Sequence, residues 1–312
     1  MTMSDAPVRA TVYDAAFGTV NDPAAAEGFT WRLAHSHYEN FPVVSILLPP
    51  PLRQDFCNIY AFCRIADDLS DEIADRDESL RLLERFRQET LSLYAGRPQT
   101  VVFTALQRTV ERHDIPIQPF LDLIDAFEQD QRLTRYDTFE QLLDYCRRSA
   151  DPVGRLVLYM CGYRDERRQQ LSDRTCSALQ LANFWQDIQR DLNDHDRIYL
   201  PRETMDRFGI NEEQLRRGIC TEEFRQCVRF EVDRTEAMFE EGDALLPLLS
   251  DVVRPQISLF GQGGRAILKA IRRQNYDTLT QRPALSRWQM GRLIFSAMAA
   301  RLTQVVGQEH RA

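Results

Sequence analysis

The sequence predicts an all-α protein, folded as a single domain of mostly long antiparallel helices. Three observations predict it. Apolar residues recur at three- and four-residue steps along most of the 312-residue chain. No long stretch alternates apolar with polar residues as a half-buried strand would. Prolines and glycines fall between the periodic segments, where a missing N–H or a flexible backbone costs least. A chain of this length with 43% hydrophobic residues buries about three quarters of its unfolded surface, so the core needs neither disulfide nor structural metal.

Taken in order, residues 1–28 read as a poorly ordered N-terminal tail and 29–307 as the helical domain. "FPVVSILLPPPL" (Phe41–Leu52) is the most apolar run, but prolines interrupt it and it falls short of the ~18 residues of a membrane span, which leaves room only for peripheral contact with a bilayer. The helical period then marks about 53–73, 78–95, 99–113, 117–130, 138–149, 152–162, 167–192, 221–247, 252–273 and 287–306. Pro98, Pro116, Pro152, Pro201 and Pro283 sit at or beside the breaks. "RIYLP" (Arg197–Pro201) is the one short extended candidate. "GQGG" (Gly261–Gly264) lies in a helical context, where it reads as a bend or a close helix approach and not as a dinucleotide loop, so no nicotinamide site is indicated.

Charge narrows the function. A formal net charge of −8 and a pI near 5.3 leave no basic stripe for nucleic acid, and an anionic ligand would need a bridging cation. Seven cysteines with no Cys-x-x-Cys pair read as free thiols in a reducing compartment. Asp5, Arg9, Asp14, Asp22 and Glu27 interrupt the first thirty residues without an apolar targeting run, so a cytoplasmic protein is expected, with peripheral contact at the inner membrane face left open.

Two stretches carry the chemistry. In "YAFCRIADDLSDE" (Tyr60–Glu72), a helical wheel begun at Ile59 clusters Ile59, Phe62, Ala66, Leu69 and Ile73 within about 80°. Tyr60, Arg64, Asp67 and Asp71 share about 60° on the side away from that stripe, with Asp68 and Glu72 further round. Alone, such a face reads as solvated, with Arg64 paired to Asp67 or Asp68. In "QLANFWQDIQRDLNDHDRIYLP", Gln180, Asn183, Asp187 and Asp191 span about 80°, and Leu181, Trp185, Ile188 and Leu192 form a stripe roughly 120° away. Like charges at i, i+4 destabilise an isolated helix by a few tenths of a kcal/mol. Two such pairs in one domain make sense if they face each other across cations. Oxygen-only ligands on rigid helices suit Mg²⁺ shared with phosphate oxygens, so a diphosphate site follows.

The two motifs, in this order and about 120 residues apart, resemble those of the squalene/phytoene synthase family of head-to-head prenyl transferases, over roughly residues 30–280. The resemblance implies an isoprenoid-synthase-type helical bundle around a central cavity, with two aspartate-rich motifs at its mouth binding diphosphate through three Mg²⁺ ions. Asp67 and Asp71 would then be the first metal-facing pair, Asp187 and Asp191 the second, and Asn183 a neighbouring ligand or positioning group. Tyr60, Arg64, Gln180, Arg197 and Tyr199 match positions the family uses around the diphosphate and the reacting carbons, with Arg64, Asn183 and Arg197 on the diphosphate. An apolar wall must keep the resulting cation from stray water; 17 Phe, 10 Tyr and 3 Trp are available, among them Phe41, Phe127, Phe184 and Trp185 near the motifs.

Within the family, "HYENFPV" (His37–Val43) and "NFWQD" (Asn183–Asp187) look like the bacterial hydroxysqualene synthases of hopanoid biosynthesis. Relatives that condense two prenyl diphosphates commonly carry a Ser near Glu39 and a basic residue where Gln186 stands. The resemblance therefore implies an enzyme that takes presqualene diphosphate, supplied by a neighbouring synthase, and yields hydroxysqualene and diphosphate with water and without NADPH. The alternatives are a presqualene diphosphate synthase or a phytoene or dehydrosqualene synthase, and more distantly a non-enzymatic assembly factor that keeps the fold; such a factor would be expected to lose some of the four aspartates. A di-iron bundle would need Glu-x-x-His pairs, and His35 with His37 lacks further ligands for zinc.

Overall fold

In the computed structural model, which describes residues 12–20, 22–36 and 49–284, every helix predicted between 53 and 273 is present. The predicted helix 287–306, the "HYENFPV" segment with Glu39, and Phe41 lie outside the described residues. The chain divides into two compact units: residues up to Arg132 together with Arg155–Arg164, and Leu133–Gly154 together with the residues from Asp165 onward.

The first unit is built on its second long helix, Arg53–Asp71. Helix α1 (Pro23–Ser36) starts at Asp22, whose carboxylate accepts the N–H groups of Ala24 and Ala25. It spans the point between residues 28 and 29 where the sequence separates tail from domain, and periodicity did not mark it. A 3₁₀ turn at Pro50–Leu52 leads into α2 (Arg53–Asp71), followed by α3 (Arg76–Tyr94, capped by Asp75), α4 (Val101–His113) and α5 (Gln118–Asp130). Helix α2 packs against all four of the others. The predicted stripe Ile59, Phe62, Ala66, Leu69 and Ile73 is buried. Phe62 stands at its centre, against the rings of Phe86 of α3, Phe103 of α4 and Phe120 of α5 at centroid distances of 4.8–5.9 Å. A buried polar network fastens the N-terminal half of the same helix. Asp55 accepts from the Thr109 hydroxyl, Arg112 and His113 of α4, while Asn58 donates to the Ala105 carbonyl and the Thr109 hydroxyl and accepts from the Thr30 hydroxyl of α1.

The second unit repeats this plan on a longer helix. It comprises α6 (Phe139–Ser149), the start of α7 (Asp151–Met160), α8 (Glu166–His195), two short helices α9 (Arg202–Arg207) and α10 (Glu212–Arg216), α11 (Glu222–Gly242) with a 3₁₀ extension at Asp243–Leu248, and α12 (Arg254–Arg273). Helix α8 packs against α6, α10, α11, the 3₁₀ turn and α12. Leu181, Trp185, Ile188 and Leu192 are buried as the wheel predicts, and the Trp185 indole N–H donates to the Thr235 hydroxyl of α11 at 2.8 Å, which makes that ring core and not cavity lining. The predicted helix 221–247 stops at Gly242 because Pro247 cannot supply an α-helical N–H, and the chain tightens to 3₁₀ instead. "RIYLP" is extended, as predicted: Ile198 forms a parallel bridge with Arg135 and donates its N–H to the Thr134 carbonyl.

The "GQGG" stretch lies inside α12 and serves close packing at its last residue. A methyl group on Gly264 would overlap the Phe239 ring of α11 and lie 2.8 Å from Leu179 of α8, whereas one on Gly263 would meet nothing within 4 Å. Gly264→Ala should therefore cost about 1–3 kcal/mol. Gly263→Ala should gain up to about 1 kcal/mol from helix propensity. Calorimetric melting should show opposite shifts; equal shifts would contradict the packing of α12 on α8 and α11.

Candidate functional site

The first motif occupies the C-terminal end of α2, on the side away from its buried stripe. Tyr60, Arg64 and Asp67 are half-buried and Asp71 is exposed, so the four predicted site residues do share the helix's outer face. Arg64 reaches along that face to two carboxylates, Nη2 lying 2.5 Å from Asp68 and Nη1 3.5 Å from Asp67. Asp68 is the more sheltered partner, at 15% side-chain exposure against 44% for Asp67. Burial pulls the Arg64 guanidinium down, but Asp68 and Asp67 outweigh it and hold it above its usual value. Burial also raises the Tyr60 phenol, opposed by Arg64 and reinforced by Asp68 and Asp67, so the phenol keeps its proton at neutral pH. No basic residue stands in the last turn of α2. Each carboxylate there meets the negative end of the helix dipole, at a cost of about 0.3–1 kcal/mol. The cation that meets this negative end is the Arg64 guanidinium.

The second motif lies in the other unit, running from the middle of α8 toward its C-terminal end. Gln180, Asp187 and Asp191 are half-buried and Asn183 is exposed. The helix leaves regular geometry at one residue, Asp187 (φ −108, ψ 15), although it contains neither proline nor glycine. The kink falls where two adjacent side chains are held from outside the helix. Buried Gln186 donates its amide to the Pro283 carbonyl at 2.5 Å, and Arg282 forms a two-pronged ion pair with Asp187, its Nη2 lying 3.0 Å from Oδ2 while Nε donates to Oδ1. Helix α8 closes through Asp196 at φ 51, which receives Arg135 and Arg216, and the Arg197 N–H returns to the Asp191 carbonyl at 3.0 Å.

Beyond this cap, Arg197 and Tyr199 turn inward and are buried. Tyr199 stacks on Phe184 of α8, with centroids 3.7 Å apart and planes 8° from parallel, and Tyr145 of α6 and Tyr136 stand 6.0 and 5.7 Å from Tyr199. The structure thus brings Phe184 and Tyr199 together and ties the second motif's Asp191 to Arg197 through the backbone. Sequence reasoning missed Arg282, Tyr136 and Tyr145. The only local signal for Arg282 is the proline that follows it, because its partner lies 95 positions away.

Among the described residues no group of three or more His, Cys, Asp or Glu side chains is arranged to hold a metal on its own. Paired carboxylates are nonetheless a donor set that Mg²⁺ uses, since it keeps several waters and takes one or two carboxylates plus phosphate oxygens. Asp187 already accepts a two-pronged cation, the Arg282 guanidinium, on both its oxygens. His35, by contrast, spends its Nδ1 on the Trp31 carbonyl at 2.7 Å and stacks on that ring.

The squalene/phytoene synthase model matches residues 34–289, a span that contains both motifs and Arg282. The chain belongs to the squalene/phytoene synthase family. Members process prenyl diphosphates, and the all-α, isoprenoid-synthase-type fold follows with membership. The chain is similar to the hydroxysqualene synthase of Zymomonas mobilis, at 30% identity over 269 residues that cover 85% of this chain and 88% of that one. It is equally similar to the 15-cis-phytoene synthase of Synechococcus elongatus, 30% identical over 268 residues, covering 82% and 87%. Among solved structures, squalene synthase HpnC from Alicyclobacillus acidocaldarius superposes with a TM-score of 0.78 at 46% identity, covering 84% of this chain and 99% of that one.

Parallel aromatic contact is worth about 0.5–1.5 kcal/mol beyond area burial. A double-mutant cycle on Phe184→Leu and Tyr199→Leu, read by urea denaturation, should return a coupling of about 1 kcal/mol. A coupling near zero would mean that the two rings do not stack in solution.

Proposed function

We propose that the chain is a Mg²⁺-dependent hydroxysqualene synthase, converting presqualene diphosphate and water to hydroxysqualene and diphosphate. The observation that carries this reading is Gln186. Condensing relatives commonly place a basic residue there; here the side chain is a neutral amide, buried and engaged with the Pro283 carbonyl, and offers no charge to a second diphosphate. The hydroxysqualene synthases of Zymomonas mobilis and Rhodopseudomonas palustris, each 30% identical to this chain, support it; phytoene synthases match at the same level, and the solved structure at 46% identity is that of a squalene synthase.

On this reading the pairs Asp67/Asp71 and Asp187/Asp191, the second with Asn183 on the same helix, would hold the metal, which when bound would supply positive charge against the departing diphosphate. Arg64 and Arg197 orient diphosphate oxygens through guanidinium N–H groups. The C–O bond breaks with its electron pair leaving on diphosphate, so no protein nucleophile is needed. Tyr199 and Phe184 present ring faces to the cation that remains and exclude stray water while the cyclopropyl skeleton opens. Tyr60 and Gln180 match positions that the family uses around the reacting carbons. A single water then forms the new C–O bond and gives up a proton, so the reaction needs no NADPH. Absence of a membrane-length apolar helix among the described residues leaves peripheral delivery of the greasy substrate, in the cytoplasm at the inner membrane face, as part of the same proposal.

Asp67→Asn or Asp187→Asn should lower Mg²⁺-dependent diphosphate release by at least about 10²-fold, the scale on which lost electrostatic stabilisation acts. Glu72→Gln should change it little; three equal, mild losses would remove the two-motif metal reading. Arg64→Lys and Arg197→Lys should each weaken diphosphate binding, since an ammonium cannot replace a fork.

Given presqualene diphosphate, Mg²⁺ and ¹⁸O-labelled water without NADPH, the protein should release diphosphate and form a labelled C30 alcohol. Efficient turnover of farnesyl or geranylgeranyl diphosphate would instead make it a condensing synthase.

A further inference from the structure

The segment that follows α12 crosses the second motif as a strap fixed at several points. Past the end of α12 the chain turns through Asn275 and Tyr276, both with positive φ (51 and 60), and Arg225 of α11 holds this turn by donating to the Asn275 carbonyl at 2.6 Å and lying 3.7 Å from the Asp277 carboxylate. Asp277 in turn accepts the Thr280 N–H at 3.0 Å and its hydroxyl at 2.7 Å, while Thr278 and Leu279 are buried. Pro283 confines Arg282 to extended backbone. Its carbonyl is held by Gln186, one residue before Asp187. Between these anchors the Arg282 guanidinium reaches both oxygens of Asp187. Arg282 is half exposed, at 50%, and Asp187 only 14%, so the charge that can move is the guanidinium.

A planar fork engages a carboxylate through both its oxygens. Those are the atoms a divalent cation would need. We propose that Arg282 is a displaceable counter-cation for Asp187: it occupies the carboxylate while no divalent ion is bound and yields it when one binds, with Gln186 anchoring the strap that returns it. The proposal rests on the reading of Asp187 as a metal-facing residue. It gives Gln186 a positioning role, exerted through the Pro283 carbonyl and not on substrate, and it predicts that metal affinity is set partly by an arginine that never touches the metal.

Apparent affinity is reduced by the fraction of carboxylate left open, so removing the competitor should tighten binding by about threefold to tenfold. The full chain would be titrated with Mn²⁺ alone, a hard divalent ion standing in for Mg²⁺, and free Mn²⁺ read by electron paramagnetic resonance. Arg282→Gln should bind Mn²⁺ several-fold more tightly than the parent. Gln186→Leu, which keeps the volume and removes the amide donor, should shift affinity in the same direction by less. In the parent, hydrogen exchange of the amides at Gln281 and Arg282 should accelerate when Mn²⁺ is added, and in Arg282→Gln it should already be fast. Melting temperatures within a few degrees of the parent would verify that both variants fold. Equal Mn²⁺ affinity in parent and Arg282→Gln would overturn displacement and leave the metal reading standing. Weaker binding in Arg282→Gln would also overturn it, since Arg282 would then be holding Asp187 ready for the ion. If the parent and both variants fail to bind Mn²⁺, the metal reading falls and the proposal with it.

Discussion

Each acidic motif is carried by the helix on which the rest of its unit is packed. Helix α2 must bury Phe62 among Phe86, Phe103 and Phe120 while crowding Asp67, Asp68 and Asp71 on its other side, and α8 must bury Trp185 against α11 while carrying the half-buried Asp187 and Asp191 off that stripe. The magnitudes decide the outcome. Burying a large apolar side chain contributes about 1.5–3 kcal/mol. A like-charge pair at i, i+4 costs a few tenths, and a carboxylate at a helix C-terminus about 0.3–1 kcal/mol. Two or three buried rings therefore hold the helix in place against its own electrostatics. The core makes the acidic face rigid, and a rigid oxygen face is what an oxygen-seeking cation needs.

The protein meets the excess negative charge with arginines. Arg64 lies along the first motif, and Arg282 takes Asp187 of the second, with Arg135 and Arg216 gathered on Asp196 at the end of the same helix. Arginine suits this task because its guanidinium stays charged when half-buried and binds carboxylate or phosphate through the same fork. A lysine would neutralise the site as well on paper, but as a compact, strongly hydrated charge it would impose no orientation. Arg64 also sits beside the Tyr60 phenol, which burial keeps protonated, so the first motif offers both a charge and a neutral hydrogen-bond donor within two turns of helix.

Much of this was legible in the sequence, for a physical reason: long amphipathic helices repeat their signal many times. The buried stripes of α2 and α8 and the outer placement of their aspartates followed from 3.6-residue periodicity alone. Helix α1 escaped because its buried residues are Ala26, Thr30 and Ala34, small side chains whose pattern barely departs from the surrounding alanines. Helices α9 and α10, of 6 and 5 residues, are too short to show a period. The aromatic group around Tyr199 and the contact of Arg282 with Asp187 join elements far apart in the chain, and no local spacing encodes such a contact.

Gln186 shows how a family motif and a tertiary contact can share one position. Its neighbour Asp187 points to the outer face, yet Gln186 is buried, because the next residue on a helix lies about 100° further round. A lysine or arginine there would put a charge into a setting that offers it the Pro283 carbonyl, and a buried charge without a full partner is costly. The amide satisfies that carbonyl without introducing charge. The amide at this position is therefore tied to the path of the strap after α12. A charged side chain at this position would require the strap to change with it.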